Sequence, residues 1–289
     1  MRAARILYAL GVAMLRTLPA EACLRAAERL AECQWRASRR DRQAVETNLR
    51  VILGTDDGRS KGLAREVFTN FGRYLVEFFT AHAARELQVT IEGFDHLRAL
   101  SRARGGGIIL TAHLGNWELG AVILRRLGFR VCVVALPHRD PWVNGLFDEQ
   151  RRRCGVEIIP LGPEATRQGL QALRSGALLG LVGDREFGDQ GIAVSLFGQT
   201  VAMPRGPALL SLRTGVPVVP VFLTRERPWR FRLAVEPPIA PTMSRAAEPE
   251  KADVQALTER YRDVMARYIR QFPSQWLMLQ PLTAQAARP

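Results

Sequence analysis

The spacing of apolar residues predicts a helical first part followed by alternating strands and helices. Residues 1–52 and 62–87 read as helical, and in the second stretch apolar side chains recur every three or four positions. From residue 88 onward, short apolar runs typical of buried strands replace this period. The six runs are Gly107–Thr111, Val131–Leu136, Val156–Ile159, Ala177–Val182, Val216–Leu223 and Phe231–Val235. The helical patterns between and after them are Leu119–Leu127, Trp142–Arg153, Thr166–Ser175 and residues 250–271.

This alternation predicts an α/β fold with a central mixed, largely parallel sheet flanked by helices. The 47% hydrophobic and 24% charged residues are typical of a globular protein and exclude a disordered or low-complexity chain. Because no repeat or linker divides the sequence, we expect a single domain over residues 1–289. Residues 88–280 would form its α/β core, and residues 1–52 a helical part that associates with a membrane.

The first fifty residues combine an apolar stretch with many arginines. Residues 6–15 are too few for the roughly 20 residues of a membrane span, and residues 1–50 hold ten Arg against five acidic residues. The whole chain has a formal net charge of +13. We interpret the N-terminal helix as an uncleaved interfacial helix on an anionic membrane; a core helix and a secretory signal peptide are the alternatives. No nucleic-acid-binding motif is present, so we expect no nucleic-acid partner.

A histidine follows directly after one of the predicted buried strands. The strand Gly107–Thr111 runs into His113, and a turn through Asn116 leads to the next helix and Glu118. Ligands of α/β sheets bind at the carboxyl ends of strands, where a histidine oriented by a carboxylate can act as a general base. Glu118 is one candidate for that carboxylate, although a spacing of five residues does not suit one helical face. The alternative is a structural histidine beside a surface glutamate.

Two further charged clusters follow or precede predicted strands. Asp184, Arg185 and Glu186 come directly after the strand Ala177–Val182, and they cannot all be buried without partners. If this strand neighbours the one that leads to His113, Asp184 or Glu186 could approach the imidazole. The alternative is a hydrated charged loop. The second cluster, Arg151, Arg152 and Arg153, has guanidinium groups that suit phosphate or lie on a solvated helix face.

The sequence contains neither a protein-nucleophile motif nor a metal-binding pattern. It has no G-x-S-x-G elbow, no Cys-His signature and no H-E-x-x-H spacing, and its four cysteines form no C-x-x-C pair. We therefore expect no resident metal or cofactor. A general base without a protein nucleophile suits a substrate that supplies its own hydroxyl group.

Six blocks in order resemble the bacterial lysophospholipid acyltransferase-like family, which includes the late acyltransferases of lipid A biosynthesis and phosphatidylinositol mannoside acyltransferase. The resemblance covers roughly residues 1–280. The blocks are FGRYLVEFF (71–79), AHLGNWELG (112–120), the Arg-rich helix before CGVEIIP, GDREFG (183–188), GIAVSLFG with AMPRGPALLSLRTGVPVVPVF (191–222), and FPSQWLMLQ (272–280).

The resemblance implies an O-acyltransferase that moves a fatty acyl chain from a carrier thioester to a hydroxyl of a membrane glycolipid or lysophospholipid. His113 would be the general base, and Glu118 its partner in the H-x-x-x-x-E box. Asp184 and Glu186 would match the acidic pair of a second catalytic block. The residues assigned to substrate binding are Asn116, Arg151, Arg152, Arg153, Arg185 and Arg205.

The same resemblance implies the partners and the location of the protein. Acyl-carrier protein or coenzyme A would carry the acyl group as a co-substrate, and a glycolipid would accept it. We expect the protein on the cytoplasmic face of a bacterial inner membrane, either peripheral or anchored through its N-terminus. Two other functions remain open: a lipid-binding membrane protein without turnover, and an acyl-thioester hydrolase that uses water.

Overall fold

The computed structural model describes residues 11, 15, 18–55, 58–81, 87–102, 106–188, 190–242 and 249–282. The α-helices of these residues are α1 (Ala20–Ala37), α2 (Arg39–Leu53), α3 (Arg59–Thr80), α4 (Phe94–Arg102), α5 (Trp117–Arg126), α6 (Pro141–Arg153), α7 (Ala165–Arg174), α8 (Gly206–Thr214) and α9 (Lys251–Gln271). The strands are β1 (Gln88–Glu92), β2 (Gly107–Thr111), β3 (Val131–Ala135), β4 (Glu157–Pro160), β5 (Leu178–Val182), β6 (Ile192–Leu196), β7 (Gln199–Met203), β8 (Val218–Arg227) and β9 (Arg230–Val235).

Seven of these strands form one sheet in the order β1-β9-β8-β2-β5-β3-β4. The neighbouring strands run parallel, except for the antiparallel pair β8 and β9. Strands β6 and β7 form a separate antiparallel hairpin. The predicted α/β fold with a largely parallel sheet flanked by helices is thus confirmed.

Both faces of the sheet are covered, which explains why its central strands read as continuous apolar runs. In β2, the consecutive residues Ile108 and Ile109 are both buried, but they belong to two different hydrophobic clusters on opposite faces. The larger cluster receives side chains from α2, α3, α7, α8 and α9, and the other from α4 and α5. Strand β2 therefore lies at the centre of the fold, with β5 on one side and β8 on the other.

The predicted N-terminal helical region contains two described helices, α1 and α2, which are separated at Ser38. The Ser38 hydroxyl donates to Asp41 Oδ2 at 2.8 Å, and Gly54 ends α2 with a φ of 67°. Helix α1 packs against α3, where the Arg73–Glu28 ion pair joins the two helices at 2.6 Å. The apolar stretch 6–15 lies outside the described residues apart from positions 11 and 15. Among the residues described, no helix is long and apolar enough to cross a membrane.

Candidate active site

Two polar side chains meet at the carboxyl edge of the sheet, beyond the neighbouring strands β2 and β5. Thr111 and Val182 are register partners at the ends of these strands, and the Gly183 N–H donates to the Thr111 carbonyl at 2.8 Å. His113 and Asp184 each follow two residues later. The neighbouring position of the two strands, on which the approach of Asp184 to the imidazole depended, is therefore confirmed.

Asp184 holds both the ring and the backbone of His113. The Asp184 Oδ1 atom lies 2.8 Å from His113 Nδ1, and Oδ2 accepts the backbone N–H of His113 at 3.0 Å. The indole Nε1–H of Trp276 also donates to Oδ2, at 2.7 Å. Burial by itself would raise the pKa of Asp184, but the facing His113 and these donated hydrogen bonds hold that pKa below its ordinary value. The carboxylate is thus ionised at neutral pH although it is only 1% exposed.

The His113 ring is oriented with one nitrogen toward the protein interior. Since Nδ1 contacts the Asp184 carboxylate, the neutral imidazole keeps its proton on Nδ1 and carries a lone pair on Nε2. Within the described residues, Nε2 has no hydrogen-bond partner, and the side chain is 22% exposed. The Trp117 ring packs edge-on against the imidazole at a centroid distance of 4.9 Å, and Tyr74 stacks on Trp117 at 4.5 Å. This geometry leaves Nε2 able to accept a proton from a ligand.

The turn that carries His113 is held by segments from distant parts of the chain. Gly115 has a φ of 63°, and a Cβ atom there would lie 1.9 Å from the Leu223 carbonyl oxygen. Its N–H donates to the Gln275 carbonyl at 2.9 Å, and the Leu277 N–H donates to the His113 carbonyl at 2.7 Å. Only glycine fits at this position, because the backbone is both left-handed and in close contact with β8.

Glu118, which the resemblance made the partner of His113 in the H-x-x-x-x-E box, does not contact the imidazole. It forms a buried two-point ion pair with Arg151 instead, with Nε–Oε2 and Nη2–Oε1 distances of 3.0 and 2.5 Å. The two side chains are 9% and 7% exposed. Burial alone would lower the pKa of Arg151, but the charge and hydrogen bonds of Glu118 raise it. Glu118 lies in the first turn of α5, from which it points to α6 rather than to His113.

Arg151, in this buried ion pair, differs in its environment from Arg152 and Arg153, which follow it on α6. Arg152 and Arg153 are exposed and both bind Glu149 on α6, without a hydrogen bond or ion pair to His113 or Asp184. Of the three arginines predicted to bind substrate, only Arg151 is built into the protein interior. Its guanidinium is engaged by Glu118 and by Asp148, the latter at 3.0 Å.

Asn116, which was predicted to bind substrate, has its side chain engaged within the protein. Its side chain is completely buried, and Oδ1 accepts the Leu119 N–H at 3.1 Å as the N-cap of α5. Its Nδ2 donates to Glu77 Oε2 at 2.9 Å. The amide is therefore fully engaged below the turn and has no path to a ligand.

Sequence reasoning missed a charged network beneath this turn. Glu77 on α3 and Arg225 on β8 form a two-point ion pair with side chains 0% and 4% exposed, at Oε1–Nε and Oε2–Nη2 distances of 2.5 and 2.6 Å. Asn70 accepts from the same guanidinium at 2.9 Å. Glu77 lies within the FGRYLVEFF block, but nothing in the linear pattern indicates a partner 148 residues away.

The remaining predicted site residues lie in more accessible loops beyond β5 and β7. Glu186 is half-buried and accepts the N–H groups of Phe187 and Gly188, at 3.0 and 2.7 Å, so it shapes its own loop and makes no contact with His113. Arg185 donates to Gln280 and lies over the Phe187 ring at 4.6 Å, and burial lowers its pKa. Arg205 donates to Gln190. The described residues contain no group of three or more His, Cys, Asp or Glu side chains that could hold a metal ion.

Comparison with known proteins confirms the resemblance in the sequence blocks. The family model described as bacterial lipid A biosynthesis acyltransferase matches residues 2–283. A phosphatidylinositol mannoside acyltransferase of Mycobacterium tuberculosis (strain CDC 1551 / Oshkosh) is 31% identical over 222 residues, which cover 73% of this chain and 67% of that protein. The protein of the same name from Mycolicibacterium smegmatis is 28% identical over 227 residues, covering 76% and 71%. The chain therefore belongs to the bacterial lipid A biosynthesis acyltransferase family, whose members are acyl-transferring enzymes.

Proposed function

We propose that this acyltransferase moves a fatty acyl chain from a carrier thioester to a hydroxyl group of a membrane glycolipid, with His113 as the general base. The observation that carries the proposal is the His113–Asp184 pair, in which a buried carboxylate fixes the imidazole and leaves Nε2 accessible. The similarity to phosphatidylinositol mannoside acyltransferases supports a glycolipid acceptor. Asp184, rather than Glu118, takes the part of the orienting carboxylate.

The proposed reaction needs only one proton-accepting group from the protein. The acceptor hydroxyl gives its proton to His113 Nε2 while its oxygen attacks the thioester carbonyl carbon, and hydrogen-bond donors at the strand ends stabilise the oxyanion. The tetrahedral intermediate then collapses: the C–S bond breaks, an ester remains, and the leaving thiolate takes up the proton from the imidazolium. The negative charge of Asp184 stabilises the imidazolium between these two steps.

The donor in this proposal is a co-substrate, either acyl-carrier protein or coenzyme A, and no resident cofactor takes part. Both donors carry a phosphopantetheine arm with anionic phosphate, which guanidinium groups bind well. Arg185 and Arg205 are the partly exposed arginines beyond β5 and β7 that we assign to substrate binding. Glu186 keeps a supporting role, because its carboxylate is engaged by the backbone of its own loop.

A membrane contact at the cytoplasmic face of the bacterial inner membrane completes the proposal. Four large apolar side chains are exposed after the carboxyl ends of strands: Leu136 after β3, Leu161 after β4, Phe187 beyond β5 and Trp142 in the first turn of α6. They share the carboxyl edge of the sheet with His113. Together with the net charge of +13, they favour a peripheral or N-terminally anchored protein that faces an anionic lipid surface.

The experiment that tests this function measures acyl transfer from a labelled acyl thioester to a glycolipid in anionic vesicles. His113→Ala should lower the rate by at least about 10²-fold, and Asp184→Asn should also lower it strongly. His96→Ala is the matched control, because His96 binds the Val235 carbonyl on β9, outside the pair. Circular dichroism checks folding. More than a tenth of the wild-type rate in His113→Ala would contradict the base role.

The same assay separates the two other functions. An acyl-thioester hydrolase would release free fatty acid at the full rate when the glycolipid is omitted. A lipid-binding protein would bind acylated ligands in both the wild type and His113→Ala, without His113-dependent transfer. The proposal expects product only when donor and acceptor are both present.

A further inference from the structure

A tryptophan from the end of the chain reaches the buried carboxylate behind His113. Trp276 follows the short 3₁₀ helix Pro273–Gln275 and is 2% exposed. Its Nε1–H donates to Asp184 Oδ2 at 2.7 Å, although the two residues are 92 positions apart in the sequence. This indole is the side-chain donor to Asp184 on the side away from the imidazole.

The segment that carries Trp276 is itself fixed to the turn of the active site. The Leu277 N–H donates to the His113 carbonyl, and the Gln275 carbonyl accepts the Gly115 N–H. The Gln275 side chain also bridges β8, since Oε1 accepts the Arg225 N–H at 2.8 Å and Nε2 donates to the Arg225 carbonyl at 2.9 Å. The indole is therefore held at a defined place relative to both members of the pair.

The hydrogen bonds divide the two oxygens of Asp184 between separate tasks. Oδ2 accepts two N–H groups, from the Trp276 indole and the His113 backbone, while Oδ1 faces the imidazole. A carboxylate whose second oxygen is fixed in this way cannot rotate Oδ1 away from Nδ1 without losing hydrogen bonds in a buried site, which is costly. The indole ring also packs edge-on against Phe197, at a centroid distance of 6.3 Å. A ring without an N–H group could make that contact, so packing alone does not require a hydrogen-bond donor here.

We propose that Trp276 is a positioning residue for acyl transfer, whose indole N–H holds Asp184 Oδ1 against His113 Nδ1. The proposal rests on the proposed function, because it assigns the indole a part in orienting the proposed base. It gives the tryptophan of the FPSQWLMLQ block a chemical role that a large apolar side chain could not fulfil.

The role predicts a change in how activity depends on pH. The charged and titratable groups that face Asp184 are His113 on the β2 side and Arg185 in its own loop. In a variant without the indole donor, the His113 backbone N–H still holds Oδ2, so the carboxylate is fixed less firmly but stays beside Nδ1. With one hydrogen bond fewer, the carboxylate is a stronger base and holds the proton on the imidazole more strongly. The acidic limb of the kcat/KM profile, which reports the titration of the pair, should therefore move to higher pH.

The first test compares Trp276→Phe with Phe197→Leu, which loosens the packing around the indole but leaves its N–H in place. Trp276→Phe should lower kcat about 10- to 100-fold with KM changed less than about threefold, and shift the acidic limb upward by on the order of half a pH unit. Phe197→Leu should leave the limb in place. An unshifted limb in Trp276→Phe, or an equal shift in both variants, would overturn the proposal.

The second test does not depend on the folding of Trp276→Phe. In the full-length protein labelled with ¹⁵N-tryptophan, the other four of the five indole resonances are assigned with single Trp→Phe variants, which leaves that of Trp276. When the pH of the sample is varied from about 5 to 9, we expect the chemical shift of this indole proton to change, and to lose that dependence in Asp184→Asn. A resonance that stays constant over this range overturns the proposal.

The outcomes also separate this proposal from the function on which it rests. If His113→Ala loses transfer but neither the limb nor the indole responds, the positioning role alone fails. If His113→Ala keeps its rate, the base role fails, and the positioning role fails with it.

Discussion

Loss of the buried Glu118–Arg151 ion pair should lower the free energy of unfolding much more than it changes proton transfer to His113. Two opposite charges about 4 Å apart attract by about 4 kcal/mol at an effective dielectric constant of about 20. Removal of one member of a buried pair costs about 3–5 kcal/mol, because the other charge loses its compensation. We place Glu118→Gln at about 3 kcal/mol, since Asp148 still contacts Arg151 at 3.0 Å. Arg151→Gln should cost more, because it leaves the Glu118 carboxylate buried without its cation.

Urea unfolding at pH 7, followed by circular dichroism, measures these free energies. The double variant Glu118→Gln/Arg151→Gln should lose less stability than the sum of the single variants, by at least about 1 kcal/mol. Glu157→Gln provides the control, because Glu157 forms a similar two-point pair with Arg130 whose side chains are 48% and 50% exposed. Exposed pairs contribute about 0–1 kcal/mol.

Kinetics add a second criterion to this prediction. Because Asp184 contacts the imidazole and Glu118 does not, Glu118→Gln should leave the acidic limb of the kcat/KM profile where it is in the wild type. Additive losses of stability in the double variant, within about 0.5 kcal/mol, would refute the coupling. A displaced limb in Glu118→Gln would refute the assignment of the orienting carboxylate.

Three further predictions concern the turn, the buried carboxylate and the N-terminus. Gly115→Ala should lower kcat about 10²-fold by displacing the turn. Gly128→Ala is the control: Gly128 has a φ of 94° but lies in open space, so this variant has the backbone strain without the steric contact and should keep the wild-type rate. The lowered pKa of Asp184 stabilises the fold above about pH 4. The free energy of unfolding, measured with urea, should therefore fall on acidification in the wild type and fall less in Asp184→Asn. Deletion of residues 2–17, which ends before α1, should reduce binding to anionic vesicles and transfer to a membrane-embedded acceptor, yet spare turnover of a soluble short-chain acceptor; equal losses on both acceptors would contradict this.

The central strands were predictable because a parallel sheet that is buried on both faces requires apolar residues at nearly every position. The hairpin β6–β7 was not predicted, because its turn uses the positive φ angles of Phe197 and Gly198, 53° and 78°, without the Asn-Gly or Asp-Gly signal typical of such turns. The apolar runs did not predict strand β1 or helices α4 and α8, which are short.

Polar residues that directly follow a strand could be predicted as part of the site. The direction in which a side chain points was harder to predict. The approach of Asp184 or Glu186 to His113 was predicted only on the condition that β2 lies beside β5; the structure meets that condition, and Asp184 is the residue that contacts the imidazole. A spacing of five residues could not show that Glu118 points away to Arg151, because that direction depends on how α6 packs. The contacts of Trp276 and of the Glu77–Arg225 pair join distant segments, and such contacts follow only from the assembled fold.

The dependence of the His113 turn on the last part of the chain has a consequence for biosynthesis. The Gly115 N–H donates to the Gln275 carbonyl and the His113 carbonyl accepts the Leu277 N–H, while Asn48 on α2 donates to the carbonyls of Met278 and Gln280. Residues 275–280 leave the ribosome after all strands of the sheet, the last of which ends at Val235, and by then the strands can begin to fold. The contacts that fix the imidazole and its carboxylate are therefore complete only after residues 275–277 have emerged, and a chain terminated before Gln275 would carry the sheet without a working site at its edge.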